Sequence, residues 1–136
     1  MASGLIRSQL SMASKINKTS IYVDVQELFI TLYDAQFEMP KRDRPIIVNR
    51  ALGHCEMVAA YFALSYRTDD KIKYTKLLFA EFEALKMNTR SILRPDRPMI
   101  QNESTCNKIR NYIARIDESI VKWYKSLELK RQEECP

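Results

Sequence analysis

Apolar side chains recur along this chain at alternating steps of four and three residues, in four separate stretches. The last stretch is unbroken and consists of Ile109, Ile113, Ile116, Ile120, Trp123 and Leu127. Because an α-helix has about 3.6 residues per turn, this spacing returns each apolar side chain to the same face. We call such a row of side chains a seam. Each seam predicts a helix that packs against its neighbours through one face.

Three earlier seams have the same spacing. They are Ile21, Val25, Leu28, Leu32, Ala35 and Met39; Val48, Leu52, Cys55, Ala59, Phe62 and Tyr66; and Leu78, Phe82, Leu85 and Ile92, with Thr89 as the one polar member. No part of the chain reads as a credible pair of strands. The sequence therefore predicts an all-α fold, an antiparallel up-down-up-down four-helix bundle.

Prolines and capping residues mark the limits of the first helices. Helix 1 begins at Thr19 or Ser20 and ends near Glu38, because the residue before Pro40 disfavours a helical conformation. The segment 40–45 is a tight basic turn that leads into helix 2.

The later helices have similar signals. Asp43 is the expected cap of helix 2, which runs to about Tyr66. Helix 3 continues to about Leu93, and helix 4 is capped by Asn102 or Ser104 and fades in the charged residues near its end. We therefore predict a disordered N-terminal segment over 1–18, a bundle over 19–131 and a frayed tail over 132–136.

Composition limits the possible classes of protein. The length of 136 residues suits one domain, and no apolar run approaches the roughly 20 residues of a membrane span. The first 18 residues lack the apolar core of a convincing secretory signal. The three cysteines include no CxxC pair, so neither a disulfide framework nor a zinc site is expected. We interpret Cys55 and Cys106 as core residues and expect a reduced, cytoplasmic environment.

Catalytic patterns are missing from the sequence. The one histidine, His54, lies beside the second seam and has no carboxylate or cysteine partner at a readable spacing. Two glycines cannot form a phosphate-binding loop, and the Glu-x-x-His pairs of di-iron bundles do not occur. We therefore predict a protein that is not an enzyme and has no catalytic residue, metal site or cofactor.

Charge is distributed unevenly. The formal net charge is +5, yet residues 19–38 contain four acids and no Lys or Arg, and residues 86–115 contain seven cations and two acids. A second basic group lies around the turn at 41–50. An up-down-up-down order places both groups at one end of the bundle, where a high local density of cations suits phosphate backbones. The alternative is a solvated surface. The candidate nucleic-acid contacts are Lys41, Arg42, Arg44, Arg50, Lys86, Arg90, Arg94, Arg97, Lys108, Arg110 and Arg115.

Helix 1 also carries more apolar side chains than its seam can bury. Tyr22 and Val23 lie off the seam, together with four residues further along the helix. These groups form either a broad internal face or a contact with another subunit, and the aromatic content and the lack of cations favour the contact. The predicted oligomer interface consists of Phe29, Ile30, Tyr33 and Phe37.

Several segments resemble a known family over about residues 20–128. These are "EMPKRDRP", a small-residue-rich helix 2, "KIKYTKLLFAEFEALKMNTRSI" and "KIRNYIARIDESIVKWYKSL". The most specific parts are Met39-Pro40-Lys41 with Arg44, the Lys71–Arg90 pattern, and the ending Trp123-x-Lys125-Ser126-Leu127. They are similar to the accessory variability determinant (Avd) proteins of diversity-generating retroelements. Those proteins belong to a four-helix-bundle group that also includes proteins encoded in ribosomal RNA intervening sequences.

The resemblance implies a function. A member of this family would form a basic homopentameric ring that binds the retroelement reverse transcriptase, template RNA and possibly DNA. It would support mutagenic complementary-DNA synthesis without catalysing it. Two other functions stay open from the residues alone: a stand-alone RNA-binding bundle, and a structural adaptor whose charges only confer solubility. The sequence does not specify the RNA preference or the residues that contact the polymerase.

Overall fold

The computed structural model describes residues 19–134, and this part of the chain is helical with no β-strand. Four long helices follow one another: α1, Ser20–Ala35; α2, Asn49–Arg67; α3, Lys71–Ile92; and α4, Glu103–Glu134. A 3₁₀ turn, Gln36–Glu38, extends α1, and a π-helical turn, Arg44–Val48, leads into α2. The predicted all-α class is confirmed. The predicted disorder of 1–18 lies outside the described residues.

The ends of the helices settle two open choices. Thr19 Oγ1 accepts a hydrogen bond of 3.4 Å from the Tyr22 backbone N–H, so Thr19 caps α1. Asn102 Oδ1 accepts one of 3.2 Å from the Thr105 N–H and caps α4. Asp43 occupies the expected position before α2, but its side chain makes no capping hydrogen bond. Helix α4 continues through Glu134 and so passes the predicted end of the bundle at 131.

Each long helix packs against two others. Helices α1 and α3 both pack on α2 and on α4. In three of the four packed pairs, contacting residues run in opposite directions, so the two helices of each are antiparallel. The pairs are Ser20–Ser119 and Asp24–Arg115 between α1 and α4, His54–Glu81 and Tyr66–Lys71 between α2 and α3, and Lys86–Asp117 and Phe79–Tyr124 between α3 and α4.

The seams of α1 and α3 lie in the core. All six residues of the first seam and all members of the third, including Thr89, are buried. The Thr89 hydroxyl donates to the Lys86 carbonyl at 2.9 Å, so this polar member leaves no unpaired group. Burial of each large apolar side chain stabilises the fold by about 1.5–3 kcal/mol.

The predicted seam of α2 is correct at Val48, Cys55 and Phe62, which are buried, and wrong at its other three members. Ala51 and Val58 are fully buried, whereas Leu52 and Ala59, which the pattern placed on the seam, are only half-buried. Helix α2 packs against α1 on one side and α3 on the other, so its buried face is wider than one row of side chains. A four-three spacing therefore identified the correct helix but not the centre of its buried face.

The two cysteines of the described chain behave as core residues. Cys55 and Cys106 are both buried and unpaired by disulfides. Burial, followed by the negative charge of nearby Glu56, raises the pKa of Cys55 to about 12, so the thiol stays protonated at neutral pH. A protonated, buried thiol is a poor nucleophile.

Candidate nucleic-acid interface

The two connections predicted to carry the basic groups meet at one end of the molecule. The turn at 40–43 and the connection at 93–102 border a common groove of about 770 Å³. We call this region the connection end and its cavity the basic groove. Arg42 reaches the groove from the first connection, and Arg94 and Arg97 reach it from the second. The predicted convergence of the two basic segments is therefore present in the structure.

Buried apolar residues hold the two connections in place. Met39 and Ile100 are buried in the core at the ends of the two connections. The Met99 backbone N–H also donates to the Ile92 carbonyl at 3.0 Å, which closes the second connection against the end of α3. These contacts fix the backbone, so the arginines project from anchored loops.

Acidic groups partly balance the cations of the basic groove. Arg42 Nε lies 3.7 Å from an Asp43 carboxylate oxygen. Arg94 makes two hydrogen bonds to Asp96, of 3.2 and 2.7 Å. The hydrogen bond from Arg94 is the main cause that lowers the pKa of Asp96, and the same bond raises the pKa of Arg94. No ion pair is present for Arg97 among residues 19–134, so Arg97 is the least neutralised cation of the groove.

A second, smaller cavity lies between α3 and α4. It has a volume of about 500 Å³, and Arg90 and Arg110 reach it from the two helices. Both side chains belong to exposed residues, and Arg110 donates a hydrogen bond of 3.1 Å to Asn107. Lys86 also lines this cavity, but its charge is engaged elsewhere. The cavity adds two accessible guanidinium groups to those of the basic groove.

Three of the predicted nucleic-acid contacts bind other groups of the protein itself. Arg44 donates to the backbone carbonyls of Met39 and Phe37, at 3.2 and 2.9 Å, and so caps the end of the first helical segment. Lys86 is mostly buried and lies 2.6 Å from Glu83 and 3.8 Å from Asp117. These contacts already engage much of the donor capacity of Arg44 and Lys86, which makes them poorer phosphate ligands than the exposed arginines.

Arg115 is the third of these residues. Its guanidinium lies 3.0 Å from a carboxylate oxygen of Asp24, whose side chain is only 4% exposed. The sequence predicts Arg115 as a nucleic-acid contact and shows Asp24 only as one of the acids of helix 1. The structure instead joins them as an ion pair between α1 and α4, because the antiparallel packing brings these turns together. Arg115 is itself exposed, but its charge faces the buried Asp24. The other exposed predicted contacts are Lys41, Arg42, Arg50, Arg90, Arg94, Arg97, Lys108 and Arg110.

The predicted oligomer interface on α1 is divided. Ile30 is 45% exposed, Tyr33 is 49% exposed, and Phe37, at the end of the segment, is 63% exposed. Phe29 is half-buried and packs against the core, beside Cys55 of α2. The side chains of Tyr33 and Phe37 meet edge to face with ring centroids 6.1 Å apart. The exposed apolar face of α1 therefore consists of Ile30, Tyr33 and Phe37, without Phe29.

The histidine has a partner that the sequence did not reveal. His54 Nδ1 is hydrogen-bonded to Glu81 Oε1 across the α2–α3 contact. The two residues are 27 positions apart, and only the antiparallel packing brings them together. The neighbouring Cys55 points into the core. Among the described residues, no group of three His, Cys, Asp or Glu side chains could hold a metal ion.

Comparisons with known proteins were made against family models, curated proteins and solved structures. No protein-family model, curated protein or solved structure matches this chain. Within residues 19–134, no helix is both long enough and apolar enough to cross a membrane.

Proposed function

We propose that this protein is a non-catalytic, nucleic-acid-binding accessory subunit that works with a retroelement reverse transcriptase and its template RNA. The observation that carries the proposal is the basic groove, where arginines from two connections distant in sequence share one cavity. The resemblance to Avd proteins supplies the identity of the partners. The groove supplies the physical means of contact.

Arginine suits this role because its planar guanidinium binds two phosphate oxygens at once. Arg90 and Arg97 have no ion-pair partner among the described residues. Arg90 lies in the last turn of α3, and Arg97 lies in the connection that follows it. Contacts of this kind position a nucleic acid by its backbone and carry little sequence information. We therefore expect binding that depends strongly on salt and weakly on sequence.

The architecture that we propose is an up-down-up-down bundle assembled as a homo-oligomeric ring. Two observations support the bundle order. Neighbouring helices pack antiparallel, and the connections at 40–43 and 93–102 share one groove. The exposed apolar face of α1 supports self-assembly, and the family resemblance suggests five subunits. A ring repeats the basic groove around its axis, which increases avidity for a long RNA without new chemistry.

RNA binding tests the site through a matched pair of variants. The first variant is Arg90→Gln/Arg97→Gln, and the control is Lys122→Gln/Lys125→Gln on the exposed surface of α4. Each removes two positive charges, so a general effect of net charge would act on both. Fluorescence anisotropy with single-stranded RNA, repeated over a range of salt, gives the slope of log affinity against log salt.

The two variants should behave differently. Loss of two phosphate contacts should reduce the magnitude of the slope by about 1.4, at roughly 0.7 per contact for a single strand. The control should keep at least most of the wild-type slope. Arg97 lines the basic groove and Arg90 lines the cavity between α3 and α4, so equal slopes in the wild type and the variant would remove both regions from the binding surface.

The role as an accessory subunit needs a separate measurement. Purified reverse transcriptase and template RNA should produce complementary DNA with the wild-type protein and the Lys122/Lys125 control, and much less with the Arg90/Arg97 variant. If RNA binding is lost but synthesis is unchanged, the protein is a stand-alone RNA-binding bundle. If the wild type binds no RNA at low salt, the structural-adaptor function takes the place of our proposal.

A further inference from the structure

Helix α4 extends far beyond the start of α1. The hydroxyl oxygens of Ser20 and Ser119 lie 3.5 Å apart, so α1 begins beside the middle of α4. Residues 120–134 continue α4 by about 22 Å, at 1.5 Å per residue, past that point. The described part of α1 does not cover this extension. We call the region formed by the turn at 68–70 and the extension of α4 the tail end.

A groove of about 1320 Å³ lies at the tail end, between the first turns of α3 and the last turns of α4. We call it the tail groove. Its apolar lining includes Ile72, Leu77, Trp123 and Leu127. Leu77 is 37% exposed although it is a large aliphatic residue, so the groove leaves apolar surface in contact with water.

Trp123 is held in a fixed orientation in the wall of this groove. Its indole N–H donates to Ser65 Oγ at 3.1 Å, and its ring stacks on Tyr66 with centroids 6.0 Å apart. A second ring, that of Phe62, meets it edge to face. The wall is therefore formed before any partner binds, and a partner would not have to order it.

The rim of the tail groove is rich in cations. Lys73 and Lys76 on α3 and Lys130 and Arg131 on α4 line it, all of them exposed. Lys71 also lines the groove, but its ammonium donates to the backbone carbonyls of Ser65 and Tyr66. Burial, followed by the nearby Lys130 ammonium, lowers the pKa of Lys71. The acids of the lining, Asp69, Asp70 and Glu134, lie at the two helix termini.

The exposed face of α1 has the opposite character. Ile30, Tyr33 and Phe37 form its apolar row at steps of three and four residues. Glu27, Asp34 and Glu38 form a parallel row of exposed carboxylates at steps of seven and four. The segment 19–38 contains no Lys or Arg. The face is thus apolar with an acidic border.

We propose that the tail groove of one copy binds the exposed α1 face of a second copy. The inference rests on the self-assembly included in the proposed function and names the second surface of that contact. A helix with apolar anchors would lie in an apolar groove, and its carboxylates would face the lysines of the rim. The groove and the α1 face are different surfaces, so the contact is heterologous: further copies add until a ring closes.

Charge favours this occupant over two others. Residues 1–18 contain Arg7, Lys15 and Lys18 and no acid, so this segment would bring positive charge to a basic rim. A contact between two α1 faces would bring two acidic rows together, and like charges across an interface oppose binding. A nucleic acid would satisfy the rim but would leave Leu77 and Ile72 without an apolar partner.

Two interface variants distinguish these arrangements. The face variant, Ile30→Lys/Tyr33→Lys, changes α1, and the groove variant, Lys76→Glu/Leu77→Glu, changes α3. All four positions are exposed, so helical circular dichroism should stay at the wild-type level. Sedimentation velocity at tens of micromolar then measures the state of each variant, with Lys122→Gln/Lys125→Gln as a control that should assemble like the wild type.

The result expected is specific to a heterologous contact. Each interface variant alone should be monomeric, and an equimolar mixture should form a one-to-one heterodimer. The mixture assembles because the face variant keeps its groove and the groove variant keeps its α1 face. A mixture that stays monomeric, or a groove variant that assembles normally, would overturn the proposal, the latter result indicating α1 against α1.

Further outcomes separate this inference from the proposed function. A monomeric wild type would overturn self-contact, whatever its RNA affinity. Assembly that appears in the wild type only after deletion of residues 1–18 would assign the groove to that segment. Assembly through the groove with no RNA binding would retain this inference and remove the nucleic-acid function. RNA binding through Arg90 and Arg97 by a monomeric chain would do the reverse.

Discussion

The connection end and the tail end both contain a cavity surrounded by cations, but they are built from different elements. The basic groove lies between two loops, and the apolar residues that anchor it, Met39 and Ile100, are buried. The tail groove lies between two helices and leaves Leu77 exposed. At the first end the large apolar side chains of the groove are buried or half-buried, and its exposed side chains are charged, polar or proline. At the second end apolar surface itself faces outward.

This difference shows why the number of cations is a poor guide to the partner. A backbone phosphate needs accessible guanidinium or ammonium groups and no apolar surface. A protein helix needs apolar surface, and charge around it then sets orientation. The same residue types therefore point to a nucleic acid at the connection end and to a protein at the tail end.

One continuous core supports both ends of the molecule, and Ile116→Asp would break that core. Ile116 is fully buried midway along α4, so an aspartate there would be an unpaired charge inside the protein. We expect a loss of more than about 4 kcal/mol of unfolding free energy and no folded protein. Thermal denaturation monitored by circular dichroism checks this, and a transition near that of the wild type would contradict the position of the seam.

A smaller loss of stability should distinguish a cation that pairs with a buried acid from an unpaired surface cation. Arg115→Ala would leave the buried Asp24 carboxylate without its partner, and we expect a loss of about 2–3 kcal/mol. Arg50→Ala removes an exposed side chain and should change stability by less than about 0.5 kcal/mol. Urea denaturation measures both. Equal effects would mean that the Asp24–Arg115 pair contributes no more than a surface charge.

The smallest expected loss of stability distinguishes the roles of Arg44 and Arg42 at the connection end. Arg44→Ala removes two hydrogen bonds to backbone carbonyls and should cost about 1–2 kcal/mol, whereas Arg42→Ala should cost about 0.5 kcal/mol or less. RNA affinity should respond in the reverse order, because the Arg42 side chain is 84% exposed and Arg44 is engaged with the backbone. If both variants lose the same stability and the same affinity, the two arginines do not have separate roles.

The local pattern of the sequence predicted the elements well. Four seams identified four helices, and every residue of the first and third seams is buried. Capping and proline signals located the helix limits within a few residues, because they act through neighbouring backbone groups. The pattern placed three of the six α2 seam residues one position away from a buried one, since a helix between two neighbours buries more than one row.

The candidate site could be predicted only in part. The convergence of the two basic connections followed from helix order, because two turns on the same side of a bundle must meet. Which cations stay available did not follow. In the sequence, Arg44 and Lys86 cannot be told from the other basic residues. Only the contacts of Arg44 with backbone carbonyls and of Lys86 with Glu83 show that their charge is engaged.

The sequence by itself determined the helices of this protein and the distribution of charge along them: four amphipathic helices, an acidic and apolar first helix, and basic connections. These features depend on residues a few positions apart. The tertiary structure decided the pairings over long separations, such as Asp24 with Arg115 and His54 with Glu81. It also decided the tail groove, which exists because α4 continues past the start of α1. The physical reason is that helix periodicity fixes which face a side chain occupies, whereas the offset between packed helices fixes which side chains it meets.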